Sequence, residues 1–105
     1  MRKEQYFKIL EKLFHKSPVI RIDENDRIVI FSDLHMGNGG SRDDFLQNSD
    51  SFYYILQNYY NERKYKLFLN GDVEELYKFR VKKVYSAWKK IYDLFEEFDE
   101  DDRFY

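Results

Sequence analysis

The sequence predicts an α/β fold in which a parallel β-α-β unit is flanked by amphipathic helices. Two short continuous apolar runs, Ile28-Val29-Ile30-Phe31 and Leu67-Phe68-Leu69, have the Ile, Val, Leu and Phe content of strands buried on both faces of a parallel sheet. Between them Phe52, Tyr53, Ile55, Leu56, Tyr59 and Tyr60 recur at helical intervals. That connection is long enough for a right-handed crossover, so the two strands run parallel and their ends emerge on one edge of the sheet.

Taken in chain order, Tyr6, Phe7, Ile9, Leu10, Leu13 and Phe14 repeat with helical period and predict a first helix over residues 3–15, stopped by Pro18. Val19-Ile20-Arg21-Ile22 alternates weakly ahead of the polar cluster Asp23-Glu24-Asn25-Asp26, the pattern of a short edge strand or hairpin arm. After the first strand, Gly37, Gly39 and Gly40 open a polar stretch read as a flexible loop; without a following Lys-Ser or Lys-Thr it is not a P-loop. The crossover helix starts near Asp50, with Asp50 or Ser49 as its N-cap, and runs to about Glu62. Val81, Val84, Tyr85, Trp88, Ile91, Tyr92, Phe95 and Phe98 then mark one buried helical stripe. This periodicity assigns the aromatic residues, 20% of the chain, to core packing rather than to stacking platforms for bases.

The 105 residues carry 18 basic and 20 acidic side chains and a net charge of −2, which describes a single domain, 1–105, and gives no basic stripe for stable nucleic-acid binding. No cysteine is present, so any metal must use oxygen and imidazole ligands. No stretch approaches the roughly 20 apolar residues of a membrane span, and Met1-Arg2-Lys3-Glu4 leads into an amphipathic segment rather than a secretory apolar region. The expected location is the cytoplasm.

Just past the two strands stand Asp33, His35 and Asp72. In open α/β sheets chemistry collects beyond the carboxyl ends of strands, and two carboxylates converging with an imidazole are best reconciled by a cation. In an extended stretch the side chains of Asp33 and His35 point to the same side and bind one ion. Asp72, entering from the neighbouring strand, is placed to bridge that ion to a second, with Gly71 before it allowing a sharp turn. Mixed oxygen and nitrogen ligation suits Mn, Fe or Zn better than Ca.

Asp33-Leu34-His35 and Gly71-Asp72-Val73-Glu74-Glu75 resemble the first two blocks of the calcineurin-like metallophosphoesterase superfamily, Asp-x-His and Gly-Asp-x-x-Asp or Glu. Phe31-Ser32-Asp33-Leu34-His35-Met36-Gly37 followed by Asp43-Asp44-Phe45 is similar to the branch containing bacterial UDP-diacylglucosamine hydrolases. The resemblance implies the N-terminal portion of a metallophosphoesterase sandwich fold. It also implies that Asp33 and His35 hold the first metal, that Asp72 bridges two, and that Glu75 orients the ligands from behind. The activity implied is hydrolysis of a phosphate ester or pyrophosphate bond by a metal-activated water, with two ions about 3.5 to 4 Å apart. The family's third block, Gly-Asn-His, is not in the sequence, and the only other histidine is His15, read as a partner for the dipole of the first helix. The expectation is therefore a truncated domain that carries half of the site and is inactive alone.

Lys78 and Arg80, shortly after Asp72, are the candidates to meet a phosphate-ester substrate. The run Glu96 to Asp102 is read as a solvated acidic connector. The alternative function is a noncatalytic or regulatory module that forms a homo-oligomer through surfaces left exposed by truncation.

Overall fold

The structure, a computed structural model, describes residues 2–105. Its centre is a parallel pair of strands, β1 (Ile28–Phe31) and β2 (Lys66–Leu69), in the register Ile28 to Lys66 through Phe31 to Leu69. A third segment lies along the other edge of β2. The Leu67 amide donates to the Arg103 carbonyl (2.7 Å), the Tyr105 amide to the Leu67 carbonyl (2.9 Å) and the Leu69 amide to the Tyr105 carbonyl (2.9 Å). The guanidinium of Arg103 ties this edge down by donating to Asp101, the Tyr65 carbonyl and Asn61.

Among the described residues there are four α-helices, α1 (Lys3–Lys16), α2 (Ser49–Ile55), α3 (Val81–Ala87) and α4 (Lys89–Glu100), of which the last three pack on one face of the sheet. A 3-10 turn, Leu46–Asn48, leads into α2. A π-helical turn, Leu56–Asn61, leads out of it and sets the Tyr60 ring edge-on to Phe31 and Tyr65. Met36, Phe45, Phe52, Leu56, Leu67, Val84, Trp88, Ile91, Leu94, Phe95 and Phe98 form one core between α2, α3, α4 and one face of the sheet. Among the described residues no helix is long and apolar enough to cross a membrane.

Several expectations change. β1 is not buried on both faces: Val29 and Phe31 pack on the core, whereas Ile30 on the opposite face is 61% exposed. Strand side chains alternate, and no helix covers that second face. Residues 19–22 form no strand, because the alternating pattern finds no ladder and no apolar surface; Val19 is 88% exposed. Neither Ser49 nor Asp50 caps α2. The preceding 3-10 turn already puts Asn48 in helical conformation, and the Ser49 hydroxyl donates back to the Leu46 carbonyl (2.7 Å).

The single stripe over 81–98 is broken at Trp88, whose φ of −118° and ψ of 32° separate α3 from α4 and leave Val81 and Tyr85 exposed. The acidic run is not a connector: Glu96 to Glu100 are the last turns of α4, with Phe98 fully buried among them. The glycine segment is pinned rather than slack, as its hydrogen bonds below show. The apolar stripe of α1 contributes no buried residue.

Candidate metal centre

The two chain segments beyond β1 and β2 remain paired after the strands end. The Asn70 amide donates to the Phe31 carbonyl (2.8 Å), Asp33 to Gly71 (3.2 Å), His35 to Asp72 (2.9 Å), Met36 to Val73 (2.8 Å), and Glu75 back to Met36 (2.9 Å). Parallel strands direct both carboxyl ends to one edge, and this irregular ladder then brings Asp33, His35 and Asp72 together. One ligand atom from each of the three lies within 4.8 Å of the others. Among the described residues it is the only group of three or more His, Asp or Glu side chains so placed.

The backbone route differs from the extended one expected. Asp33, His35 and Asp72 all have left-handed φ values, 57°, 50° and 51°, beside Gly71 at 79°. Asp and His visit this region more readily than most residues, yet it remains uncommon for any residue but glycine and persists where surrounding structure imposes it. Here the cross-strand hydrogen bonds impose it. The single left-handed residues kink the chain so that Asp33 and His35 face each other, with His35 Nε2 3.7 Å from Asp33 Oδ1.

Glu75 lies behind the imidazole, with Oε2 2.9 Å from His35 Nδ1. With that carboxylate as acceptor, Nδ1 is the donor nitrogen and Nε2 is the nitrogen turned toward Asp33. The donor set is two carboxylates and one imidazole nitrogen at a solvent-accessible edge, and it fits a divalent cation of the Mn, Fe or Zn type.

No protein-family model, curated protein or solved structure matches the chain.

Lys78 and Arg80 are not bonded to this group. Lys78 Nζ sits 3.6 Å from Asp44 Oδ2, and Arg80 occupies the extended N-cap position of α3. His15 falls in the last turn of α1, 4.0 Å from Glu11, and is not part of the cluster. Two residues near the site, Asp43 and Trp88, are not among the candidate site residues read from the sequence. Asp43 is buried and accepts from the Gly39 amide (2.7 Å) and the Phe45 amide (2.9 Å). The Trp88 indole N–H donates to both the Gly37 carbonyl and Asp43 Oδ2 at 3.1 Å. The Asp43 bond to Phe45, two residues on, is a local pattern that sequence can suggest; the Trp88 bond spans 45 residues and cannot be read from spacing. Beside the cluster, the Tyr92 hydroxyl donates to Glu74 (2.9 Å), and burial together with that carboxylate pushes the phenol pKa well up.

Proposed function

We propose that Asp33, His35 and Asp72 hold a divalent cation and that the chain carries the N-terminal half-site of a metal-dependent phosphoesterase of the calcineurin-like type. The observation that carries this reading is the convergence of three ligand atoms within 4.8 Å on strained backbone, with Glu75 hydrogen-bonded to the far nitrogen of the histidine. Structural polar residues at strand ends do not need left-handed strain or a carboxylate behind an imidazole.

A bound cation of this class supplies Lewis-acid polarisation of a phosphoryl oxygen and charge neutralisation at the phosphate. The chain's own residues divide the remaining work. Asp33 and Asp72 supply the negative charge that attracts the cation, Asp33 from beyond β1 and Asp72 from beyond β2. His35 supplies an imidazole nitrogen whose orientation is set by the hydrogen bond to Glu75. Substrates are phosphomonoesters, phosphodiesters or pyrophosphates. Three ligands do not make a two-ion clamp, so the 105-residue chain by itself is expected to bind cation but to hydrolyse poorly.

Titration with Mn2+, followed by the paramagnetic resonance signal of the free ion, tests this directly. Wild-type chain should deplete the free-ion signal, and Asp33→Ala or Asp72→Ala should weaken binding by at least ~10-fold. Equal depletion by wild type and both variants would overturn the assignment. Rapid hydrolysis of an aryl phosphate by the 105-residue chain would overturn the expectation of low activity.

A further inference from the structure

We propose that Asp43 and Trp88 are positioning residues for His35 and Glu75, acting through the Met36-Gly37 segment. The consequence for cation binding rests on the metal reading above, whereas the mechanics rest on hydrogen bonds within the chain.

Met36 is fully buried and is the point at which the His35 segment locks to the Glu75 segment: its amide donates to Val73 and its carbonyl accepts from Glu75. The next residue, Gly37, is held from the other side by the Trp88 indole N–H at 3.1 Å. That same N–H is shared with the Asp43 carboxylate, which also accepts the Gly39 and Phe45 amides. A carboxylate that is largely buried and met by three N–H donors is a firm anchor, because moving it would strip those bonds from a group with little access to water.

Gly37 is packed closely enough that only glycine fits. A side-chain carbon at this position would stand 2.7 Å from both Asp43 Cγ and Phe79 Cε2. The 2.9 Å bond between His35 and Glu75 is therefore set from below by the break between α3 and α4, where Trp88 sits.

Trp88→Phe keeps an aromatic ring in the core and deletes the N–H; Asp43→Asn keeps the shape and deletes the charge. The first readout is the 15N NMR signature of the His35 imidazole in metal-free protein. Wild type should show one tautomer with the proton on Nδ1, and both variants should show averaging between tautomers as the bond to Glu75 loosens. The second readout is Mn2+ affinity, expected to fall by ~10-fold in each variant. Ile91→Val trims a core side chain that takes no part in the side-chain bonds of Asp43 and Trp88, so it controls for general loosening and should leave both readouts unchanged.

A wild-type His35 spectrum in both folded variants, or an equal tautomer change in Ile91→Val, would overturn the proposal. Wild-type chain that binds no Mn2+ while Trp88→Phe still releases the tautomer would remove the metal reading and leave the positioning role standing. Should Trp88→Phe fail to fold, Asp43→Asn decides by the same two measurements.

Discussion

Asp26 and Lys66 meet at 2.7 Å where β1 and β2 begin, joining the two strands by charge at the end away from the candidate metal centre. The Lys66 ammonium, and after it the Asp23 amide, hold the Asp26 carboxyl below its ordinary value of 3.8. The same bond raises the lysine above its ordinary 10.5. A depressed carboxylate contributes stability that is present above 3.8 and lost as pH falls through the lowered value. A raised lysine contributes stability present below 10.5 and lost as pH climbs through the raised value. Asp26→Asn should therefore be less stable than wild type at neutral pH, and the gap should close as pH drops below the ordinary carboxylate range. Urea unfolding at neutral and acid pH measures both, and a gap that persists in acid would refute the linkage. At this scale the convergence of Asp33, His35 and Asp72 was legible, because residues that follow two parallel strands emerge at one edge of the sheet. Their backbone was not legible. Left-handed φ at Asp33, His35 and Asp72 is imposed by bonds to the neighbouring segment, which no local spacing encodes.

The elements show where periodicity informs and where it misleads. Hydrophobic period predicts helices over 3–15, from Asp50 to about Glu62 and along 81–98, near the observed Lys3–Lys16, Ser49–Asn61 and Val81–Glu100, while the strands are read from continuous apolar runs and their parallel order from the crossover between them. Period does not reveal which turns of a helix reach the core. Val81 and Ile91 belong to the same stripe by spacing, yet Val81 is 58% exposed and Ile91 fully buried, because the chain bends at Trp88 to bring its indole to Gly37 and Asp43. Ile91→Ala should accordingly cost about 2 to 5 kcal/mol, the range for emptying a packed site. Val81→Ala should stay within about 0.5 kcal/mol, as surface changes do. Equal losses in urea unfolding would mean that α3 packs over its whole length. The acidic end of α4 is a related case: charge density suggests a connector, but Phe98 at the centre of the run packs into the core and Arg103 lies across its ring at 4.5 Å.

At the scale of the molecule, the core is confined to α2, α3, α4 and one face of the sheet, while α1 stands outside it. The radius of gyration is 16.5 Å, against about 13 Å for a compact chain of this length. In α1, Phe7, Leu10 and Leu13 are 55%, 44% and 56% exposed, so the helix gains little from tertiary burial. A 14-residue helix without packing is marginal, since nucleation is costly and propagation alone barely repays it. Its ends give limited help: the Arg2 amide is capped by the Gln5 side chain, and the Ser17 hydroxyl donates to the Leu13 carbonyl. By contrast, the amides of α4 and β2 lie among fully buried side chains, including Ile91, Phe98 and Leu67. Native-state hydrogen exchange in dilute solution should therefore separate the chain into two stability classes. Amides in α1 should open at a cost of about 0 to 1 kcal/mol, close to a fraying terminus, whereas those of β2 and α4 should exchange only through openings near the global unfolding free energy. Raising denaturant should leave the α1 rates almost unchanged and accelerate the others, because opening α1 exposes little new apolar surface. Protection of α1 equal to that of α4 in dilute solution would mean that the helix is buried against the body of the protein, contrary to its exposed stripe.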